Sequence, residues 1–238
     1  MSIYAIGDLH LSFDNSKPMD VFGDNWKNHI EKVRNNWLKE IKENDLVLLP
    51  GDFSWAMNIK DMFLDFKYIN ELPGIKVLIK GNHDYWWTTI KSMNKFITDN
   101  GFKNIYFLNN DAFEYQEFSI VGTRGWNFNE DENFEKMQNR ELIRLRNSIE
   151  YSNKKFGNKE IICALHYPPI NNNMIEKNIK SPYLEILKEY NIHECIYGHL
   201  HGESHKEAIE KEIDGVSLKL VSSDYLDFKP LLLKKTGE

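Results

Sequence analysis

The sequence is poor in cysteine and contains no long apolar run. Only two of its 238 residues are cysteines, Cys163 and Cys195, and neither belongs to a CxxC pair or another thiolate metal-binding pattern. Each lies in a short apolar run, so we interpret both as buried thiols in strands of a protein from a reducing compartment. No segment approaches the roughly 20 apolar residues that a membrane helix needs, and the N-terminus lacks the basic region of a signal peptide. We therefore expect a cytoplasmic protein without a membrane-spanning segment.

The sequence also lacks an excess of basic residues. Lysine and arginine number 30 against 36 aspartates and glutamates, which gives a net charge of −6. Because sequence-independent binding of nucleic acid needs a basic surface, this balance argues against nucleic acid as a partner. No repeat, low-complexity segment or long linker divides the chain. With 41% hydrophobic and 28% charged residues, it has the composition of one globular domain over residues 1–238.

Short apolar strands alternate with helical patterns, which favours an α/β fold whose later strands form a second sheet with antiparallel parts. Apolar periodicity predicts helices over residues 24–43, with Asp24 as N-cap, and over 58–72, 88–100, 132–155 and 181–190. Strands are predicted over residues 3–6, 46–49, 77–79, 161–165 and 195–197, with further short strands and turns between 105 and 121. A hairpin within residues 206–221 is predicted to turn at Asp214-Gly215.

The ends of the predicted strands carry most of the functional information. Five strands run into short polar fragments: Asp8-Leu9-His10, Gly51-Asp52, Gly81-Asn82-His83-Asp84, His166 and Gly198-His199-Leu200-His201. In α/β sheets, functional groups gather beyond the carboxyl ends of the strands. Alternate residues of an extended segment point the same way, so the two residues of a D-x-H or H-x-H pair can reach one region. Each fragment alone is weak evidence, but the five together indicate one site.

The side chains at these strand ends are suitable ligands for transition metals. Carboxylate, amide and imidazole donors without thiolate favour manganese, iron, zinc or a similar first-row ion, with magnesium and nickel as further candidates. The candidate ligands are enough for two ions: Asp8, His10, Asp52, Asn82, His166, His199 and His201. Two ions about 3.5–4 Å apart form the usual clamp for in-line attack at phosphorus. A carboxylate can bridge such a pair, and Asp52 is our candidate.

The ordered fragments DLH, GD, GNHD, H and GHLH resemble the motifs of the calcineurin-like metallophosphoesterase superfamily, and they extend from Asp8 to His201. The resemblance implies a four-layer α/β/β/α sandwich of two mixed sheets flanked by helices. It implies that one metal is held by Asp8, His10, Asp52 and His201, and the other by Asp52, Asn82, His166 and His199. It also implies in-line attack by a hydroxide that bridges the metals, with His83 as proton donor to the leaving oxygen.

One departure from the motifs of the superfamily narrows the range of expected substrates. Its protein Ser/Thr phosphatases carry an arginine-containing GDxVDRG block, whereas residues 51–57 of this chain read GDFSWAM. We therefore expect a small phosphodiester or phosphomonoester as substrate, as for the smaller bacterial phosphoesterases, and not a phosphoprotein. The alternatives are a metal-dependent nuclease, a non-catalytic scaffold and a metal-storage or sensing protein. The negative charge argues against a nuclease, and the complete ligand set argues against a scaffold. The presence of His83 argues against a metal-storage or sensing protein.

Several residues near the fragments allow two interpretations. Arg124, between two glycines, could bind a substrate phosphate or could be a structural arginine. Asp84 could orient His83 or brace its turn. The aromatic residues near the fragments could stack on a nucleotide-like substrate, although we favour packing: Trp55, Tyr85, Trp86, Trp87 and Trp126.

Two further expectations concern the surface. The segment over residues 12–22, which follows the first fragment, could cover the site. Three histidines match no fragment. We expect His29 on the surface of a helix and His193 in a loop, whereas His205 could lie just outside the site, although we favour solvent exposure. The composition leaves the oligomeric state open.

Overall fold

Two mixed β-sheets pack face to face in the computed structural model, which describes residues 1–13, 17–128 and 134–237. The first sheet has the strand order β11-β1-β2-β3-β4. Its strands, numbered in chain order, are β1 (Ser2–Ala5), β2 (Leu46–Pro50), β3 (Ile75–Ile79), β4 (Ile105–Phe107) and β11 (Leu231–Lys235). Neighbours among β1 to β4 run parallel, and β11 is antiparallel to β1.

The second sheet has the strand order β5-β6-β7-β8-β10-β9. Its strands are β5 (Phe113–Tyr115), β6 (Phe118–Thr123), β7 (Glu160–Leu165), β8 (Glu194–Tyr197), β9 (Glu212–Ile213) and β10 (Val216–Leu220). The four central strands are parallel, whereas both edge strands are antiparallel to their neighbours. The predicted hairpin is confirmed, because Asp214 and Gly215 join β9 to β10 with φ angles of 52° and 81°, as in a type I′ turn.

Helices cover the outer face of each sheet. Against the first sheet lie α1 (His29–Glu40), α2 (Phe63–Asn70) and α3 (Ile90–Asp99). Against the second lie α4 (Phe134–Phe156), α5 (Asn172–Glu176) and α6 (Pro182–Glu189). A third apolar cluster fills the space between the sheets. The predicted four-layer sandwich of two mixed sheets flanked by helices is thus confirmed.

The apolar runs of the central strands follow from burial on both faces. In β2, Leu46 and Leu48 belong to the cluster between the sheets, whereas Val47 and Leu49 pack against the helices. Because neither face of such a strand meets water, its sequence is continuously apolar instead of alternating. The two cysteines also agree with the prediction, since Cys163 and Cys195 are buried and face each other across β7 and β8.

The first predicted helix begins later than expected. Asp24–Trp26 forms a separate 3₁₀ turn, Lys27 is extended with a ψ of 127°, and Asn28 has a φ of 54°, so α1 starts only at His29. The expectation that His29 lies at the surface is also wrong, because its ring is buried 5.3 Å from that of Trp26. Trp26 has helical spacing with the apolar residues of α1, although the helical conformation is interrupted at Lys27 and Asn28. Apolar periodicity cannot detect such an interruption.

Among the α-helices and strands of the described residues, the prediction did not include β11 and the short α5. The predicted helix over residues 132–155 begins at residues 132 and 133, which lie outside the described residues, and it is observed from Phe134 onward. Among the helices of residues 1–13, 17–128 and 134–237, none is both long and apolar enough to cross a membrane.

Candidate metal centre

The five polar fragments lie where β1, β2, β3, β7 and β8 end. β1, β2 and β3 run parallel to one another in the first sheet, and β7 and β8 do so in the second, so the carboxyl ends within each set open at one edge. The first sheet contributes Asp8, Asp52 and Asn82, and the second contributes His166, His199 and His201. The structure therefore brings together residues that are separated by up to 193 positions in the chain.

One group of ligand atoms belongs to Asp8, His10 and His201, and these atoms all lie within 4.8 Å of one another. His201 Nε2 is 3.3 Å from His10 Nε2 and 3.4 Å from Asp8 Oδ1. Asp8 and His10 are almost fully buried. A carboxylate oxygen and two imidazole nitrogens at this spacing can surround one ion.

A second group belongs to Asp52, His166 and His199, again within 4.8 Å. Asn82 completes it, because its Oδ1 lies 2.5 Å from His166 Nε2 and 3.0 Å from His199 Nδ1. Two ring nitrogens therefore converge on one amide oxygen in a partly buried setting. That arrangement is suited to a second ion.

The Asp52 carboxylate lies between the two groups. Its Oδ2 is 3.8 Å from His10 Nε2 in the first group, and its Oδ1 is 3.6 Å from His166 Nε2 in the second. Each oxygen thus faces a different set of ligands, which is the position that a bridging carboxylate requires.

Four of these residues have a left-handed backbone, with φ angles of 56° at Asp8, 46° at His10, 50° at Asp52 and 75° at His199. Such conformations are costly for residues other than glycine and persist where surrounding structure enforces them. The first two loops enforce each other, because Asp8 N–H donates to Gly51 O at 2.9 Å and His10 N–H donates to Asp52 O at 3.0 Å. The strain is thus located at the ligands themselves.

Glycines allow the loops to approach the ligands closely. A Cβ on Gly51 would lie 2.5 Å from His166 Nδ1. A Cβ on Gly81 would collide with the carboxylate of Asp52, and one on Gly198 with that of Asp8. Side chains at these three positions would displace the ligands, so the glycines of the fragments have a steric role.

Outer hydrogen bonds orient two of the imidazoles. His166 Nδ1 lies 3.1 Å from Pro50 O, and His201 Nδ1 lies 2.7 Å from Asp224 Oδ1. Because these oxygens can only accept, each Nδ1 carries the proton and each Nε2 faces the site. Asp224 also accepts from Gly202 N–H at 3.1 Å, and His205 Nε2 lies 3.2 Å from its Oδ2. Of the two expectations for His205, this contact with Asp224 favours a place just outside the site over solvent exposure.

Asp224 was missed by the sequence analysis. It lies in the segment after β10, in a Ser222-Ser223-Asp224 stretch that resembles no fragment. The neighbouring Ser222 hydroxyl donates to Asp8 Oδ2 at 3.0 Å, and Ser223 to Asp8 O at 2.7 Å. A run of three buried polar residues after an apolar strand was the signal that could have identified this segment.

The charges of the site fit a bound cation. Burial and the neighbouring Asp8 charge raise the pKa of Asp52 to about 8, so two carboxylates repel each other in the protein interior. Burial lowers the pKa of His201, but the hydrogen bonds and charges of Asp224 and Asp8 outweigh it and raise that pKa to about 10. Both shifts reflect in part an excess of negative charge at the site, and a bound metal ion would relieve the same excess.

His83 lies at the edge of this centre and is half-buried. Its backbone N–H donates to Asp52 Oδ1 at 2.8 Å, and its Nδ1 is buried without a hydrogen-bond partner in the described part of the chain. Burial, together with the charges of His166 and Lys17, lowers the pKa of His83 to about 4. Its imidazole is therefore neutral near pH 7 before a substrate binds.

Asp84 braces the turn. Its buried carboxylate accepts from Phe53 N–H at 2.9 Å, Gly81 N–H at 2.7 Å and Trp86 Nε1–H at 3.0 Å. Burial, with the charge of Asp52, raises the pKa of Asp84 to about 6. Of the two interpretations left open by the sequence, these contacts favour the structural one.

Arg124 lies behind the second group, where its backbone carbonyl accepts from His166 N–H at 3.1 Å. Its guanidinium packs 4.5 Å from the Trp126 ring, and its buried Nε and NH2 have no hydrogen-bond partner among the described residues. An unpaired guanidinium of this kind can receive an anion. Its contact with a substrate phosphate stays a prediction.

Most of the aromatic residues near the fragments pack against other side chains, whereas Tyr85 is 55% exposed, with its ring centroid 6.1 Å from that of His83. Trp86 is buried against Phe53, Phe66 and Trp87, at ring distances from 5.3 to 6.3 Å. Trp55 stacks on His10 at 4.8 Å. Of the segment expected to cover the site, residues 17–22 are described beside His10 and His83, whereas residues 14–16 lie outside the described residues.

Comparison with known proteins agrees with this geometry. The profile of a family described as calcineurin-like phosphoesterase matches residues 1–203. That match spans all five polar fragments. No curated protein matches the chain.

Several solved structures share the fold. A protein of unknown function from Aquifex aeolicus is 19% identical, with a TM-score of 0.52 and coverage of 97% of this chain and 95% of its own. Phosphopantetheinyl hydrolase from Mycobacterium tuberculosis is 10% identical, with a TM-score of 0.56 and coverage of 98% and 95%. A protein from Thermus thermophilus is 12% identical, with a TM-score of 0.57 and coverage of 98% and 97%. At these identities the similarity shows the fold alone.

Proposed function

Because the chain belongs to the calcineurin-like phosphoesterase family, we propose that it is a phosphohydrolase that cleaves a small phosphodiester or phosphomonoester with two bound metal ions. The observation that carries the proposal is the position of Asp52, with one carboxylate oxygen toward each of two adjacent ligand groups. When bound, two such ions lower the pKa of water and stabilise negative charge on a phosphoryl group.

The candidate ligands form two sets that share Asp52. Asp8, His10, Asp52 and His201 would hold one ion, and Asp52, Asn82, His166 and His199 the other. Asp52 would be shared by both ions, and the buried, strained loops would hold the ligand side chains in place without rearrangement during the reaction. Asp224 and Pro50 O fix the orientations of His201 and His166.

His83 would contact the phosphate and protonate the leaving oxygen. Its imidazole is neutral before substrate binds, and the negative charge of a phosphoryl group would raise its pKa and allow it to take up the proton that it donates. Arg124 would contribute a second contact to the phosphate through its unpaired guanidinium nitrogens.

The reaction is tested with p-nitrophenyl phosphate and bis-p-nitrophenyl phosphate. The protein is stripped of metal and reloaded with manganese, iron, zinc or magnesium, with Asp52→Asn as the control. We expect metal-dependent release of p-nitrophenol that the control loses, and the ratio of diester to monoester rates then indicates the substrate class. If the wild type releases no p-nitrophenol with any metal and binds no metal ion, the result would support a non-catalytic scaffold. Release of nucleotides from single-stranded DNA would instead support a nuclease.

The role of His83 is tested with two leaving groups. We expect His83→Ala to retain its metal but to lose about 10²–10⁴-fold in turnover on an alkyl phosphoester, since an alkoxide leaves poorly without a proton. The loss on p-nitrophenyl esters should be smaller, because p-nitrophenolate leaves unprotonated. His193→Ala, which changes an exposed histidine, should retain full activity on both. Equal losses on the two esters would contradict the proton-donor role.

A further inference from the structure

A cavity of about 370 Å³ opens beside the metal centre, on the side of His10 and His201. His83 lies on its wall, together with Lys17, Met19, Phe22, Trp26, Trp55 and Gly202. A residue that protonates the leaving oxygen must lie on the side toward which the alcohol departs. The inference that follows rests on the proposed function, because it takes His83 as the proton donor and therefore the cavity as the binding site of the leaving alcohol.

The aromatic walls of the cavity offer few hydrogen bonds to a ligand. Trp55 Nε1–H already donates to Met19 Sδ at 3.1 Å. Trp26 is buried, and its ring meets those of His10 and His201 at 5.8 Å and 5.7 Å. A sugar or a peptide in this cavity would leave several of its polar groups unpaired, at a cost for each.

The indole of Trp55 has no free face for a nucleobase. The His10 ring stacks on it at 4.8 Å with an interplanar angle of 22°, and Lys17 Nζ lies 3.5 Å from the same ring centroid. A stacked ring and an ammonium group this close to one centroid cannot share a face, so both faces are covered. Base stacking, which requires an open aromatic face, is therefore not available on this residue.

The charged and the exposed side chains around the cavity also favour an apolar ligand group. Lys17 is the one lysine or arginine among the described residues that line it, which is enough for the charge of a phosphoryl group but not for a polyanion. Outward, the walls continue into exposed apolar side chains, with Phe22 53% and its neighbour Val21 69% exposed. Met19, Phe22 and Trp26 thus give the cavity an apolar side that continues to the exposed rim, while Lys17 and the histidines are its polar groups.

We propose that this cavity binds the apolar organic group of the leaving alcohol. The enzyme then prefers phosphoesters of aliphatic or simple aryl alcohols over esters of sugars, nucleosides or protein hydroxyls. Met19, Phe22 and Trp26 determine this specificity, while Lys17 holds the phosphoryl end of the ligand.

The proposal is tested by binding of two non-hydrolysable probes to the metal-loaded protein. Isothermal titration calorimetry compares n-hexylphosphonate with methylphosphonate, which share a head group and differ only in apolar chain. Because each buried methylene adds to the binding free energy, we expect n-hexylphosphonate to bind at least about tenfold more tightly. Phe22→Ala should reduce this ratio about threefold or more. Phe63→Ala, which removes an exposed phenylalanine of α2 that is not part of the cavity lining, should leave it unchanged.

Equal affinities for the two phosphonates, no binding of either at millimolar concentration, or equal effects of the two substitutions would each overturn the proposal. The result is separable from the hydrolysis assay. A clear preference for n-hexylphosphonate in a protein that hydrolyses no ester would keep the apolar cavity and reject the phosphohydrolase. Hydrolysis of p-nitrophenyl esters without that preference would reject the cavity alone.

Discussion

Asp224 illustrates how a residue outside the ligand set can control a ligand. Its carboxylate receives the Nδ1 proton of His201 at 2.7 Å, and its side chain is fully buried. The negative charge makes the opposite nitrogen, Nε2, a stronger donor to a cation. Such partners matter because an imidazole that is free to rotate or to change tautomer presents its lone pair only part of the time.

At this scale we predict the effect of Asp224→Asn. The amide keeps the shape of the side chain but loses the charge, so the affinity for metal should fall about 10–100-fold. Competition of the metal-free protein with a chromogenic chelator measures this affinity. Asp227→Asn is the matched control, because that aspartate is exposed three residues further along. Unchanged affinity in Asp224→Asn would show that the charge of Asp224 does not contribute to metal binding.

The residues of the centre were largely predictable, and their partners were not. Asp8, His10 and the other candidate ligands could be identified because each follows a strand and belongs to a short local pattern. Asp224 contacts His201 across 23 positions of sequence, and Lys17 reaches the cavity from an irregular segment. Contacts of this kind depend on how loops fold onto one another, for which periodicity and spacing give no signal.

The secondary-structure elements also divide into those that the sequence predicted and those that it did not. The parallel strands were predicted because burial on both faces leaves continuous apolar runs, as in Leu46–Pro50. The predicted start of α1 was wrong because Asn28 adopts a left-handed conformation that interrupts an otherwise helical pattern. The edge strand β11 was missed because Leu231–Lys235 is partly exposed and ends in two lysines. Edge strands of this composition lack the apolar signal of central ones.

Strand β3 contains an unusual buried cation, from which a pH dependence follows. Lys76 is fully buried, and its Nζ donates to Leu72 O. Burial lowers its pKa to about 7, against an ordinary value of 10.5. Between these two values the unfolded chain binds the proton more strongly than the folded protein, so the stability of the fold must rise with pH over that window.

We therefore predict that the free energy of unfolding increases between pH 7 and pH 9.5, by up to about 1.4 kcal/mol per pH unit from this group. Lys76→Met keeps the length of the side chain without the charge and should remove that slope. Urea unfolding of both proteins across the range measures the difference. A slope shared by the wild type and Lys76→Met would place its origin in other groups.

For the molecule as a whole, the candidate metal centre lies at the shared edge of the two sheets, beside the apolar cluster that fills the space between them. Asp8, Asp52 and Asn82 belong to one sheet, whereas the three histidines after β7 and β8 belong to the other. Ions held by both sets would connect the sheets at their shared edge. They would also neutralise the carboxylate pair that is repulsive without them.

Binding of metal should accordingly stabilise the fold. A ligand that binds only the folded state adds about 2.7 kcal/mol when it is present at 100 times its dissociation constant. We expect the melting temperature to rise by several degrees on addition of manganese or zinc, and to return after chelation. Differential scanning calorimetry of the wild type and Asp52→Asn tests this, and the increment should be much smaller in the substituted protein. An equal increment would mean that the ions bind elsewhere.

The pairing of β11 with β1 has a consequence for biosynthesis. When the chain is synthesised, β1 receives its partner β11 only after residues 231–235 have been made, more than 220 residues later. The serines that contact Asp8 likewise follow it by more than 210 residues, and Asp224 lies beside them. A growing chain therefore carries Asp8 and His10 long before the residues that orient the site, and these contacts form only after residues 222–224 have been made.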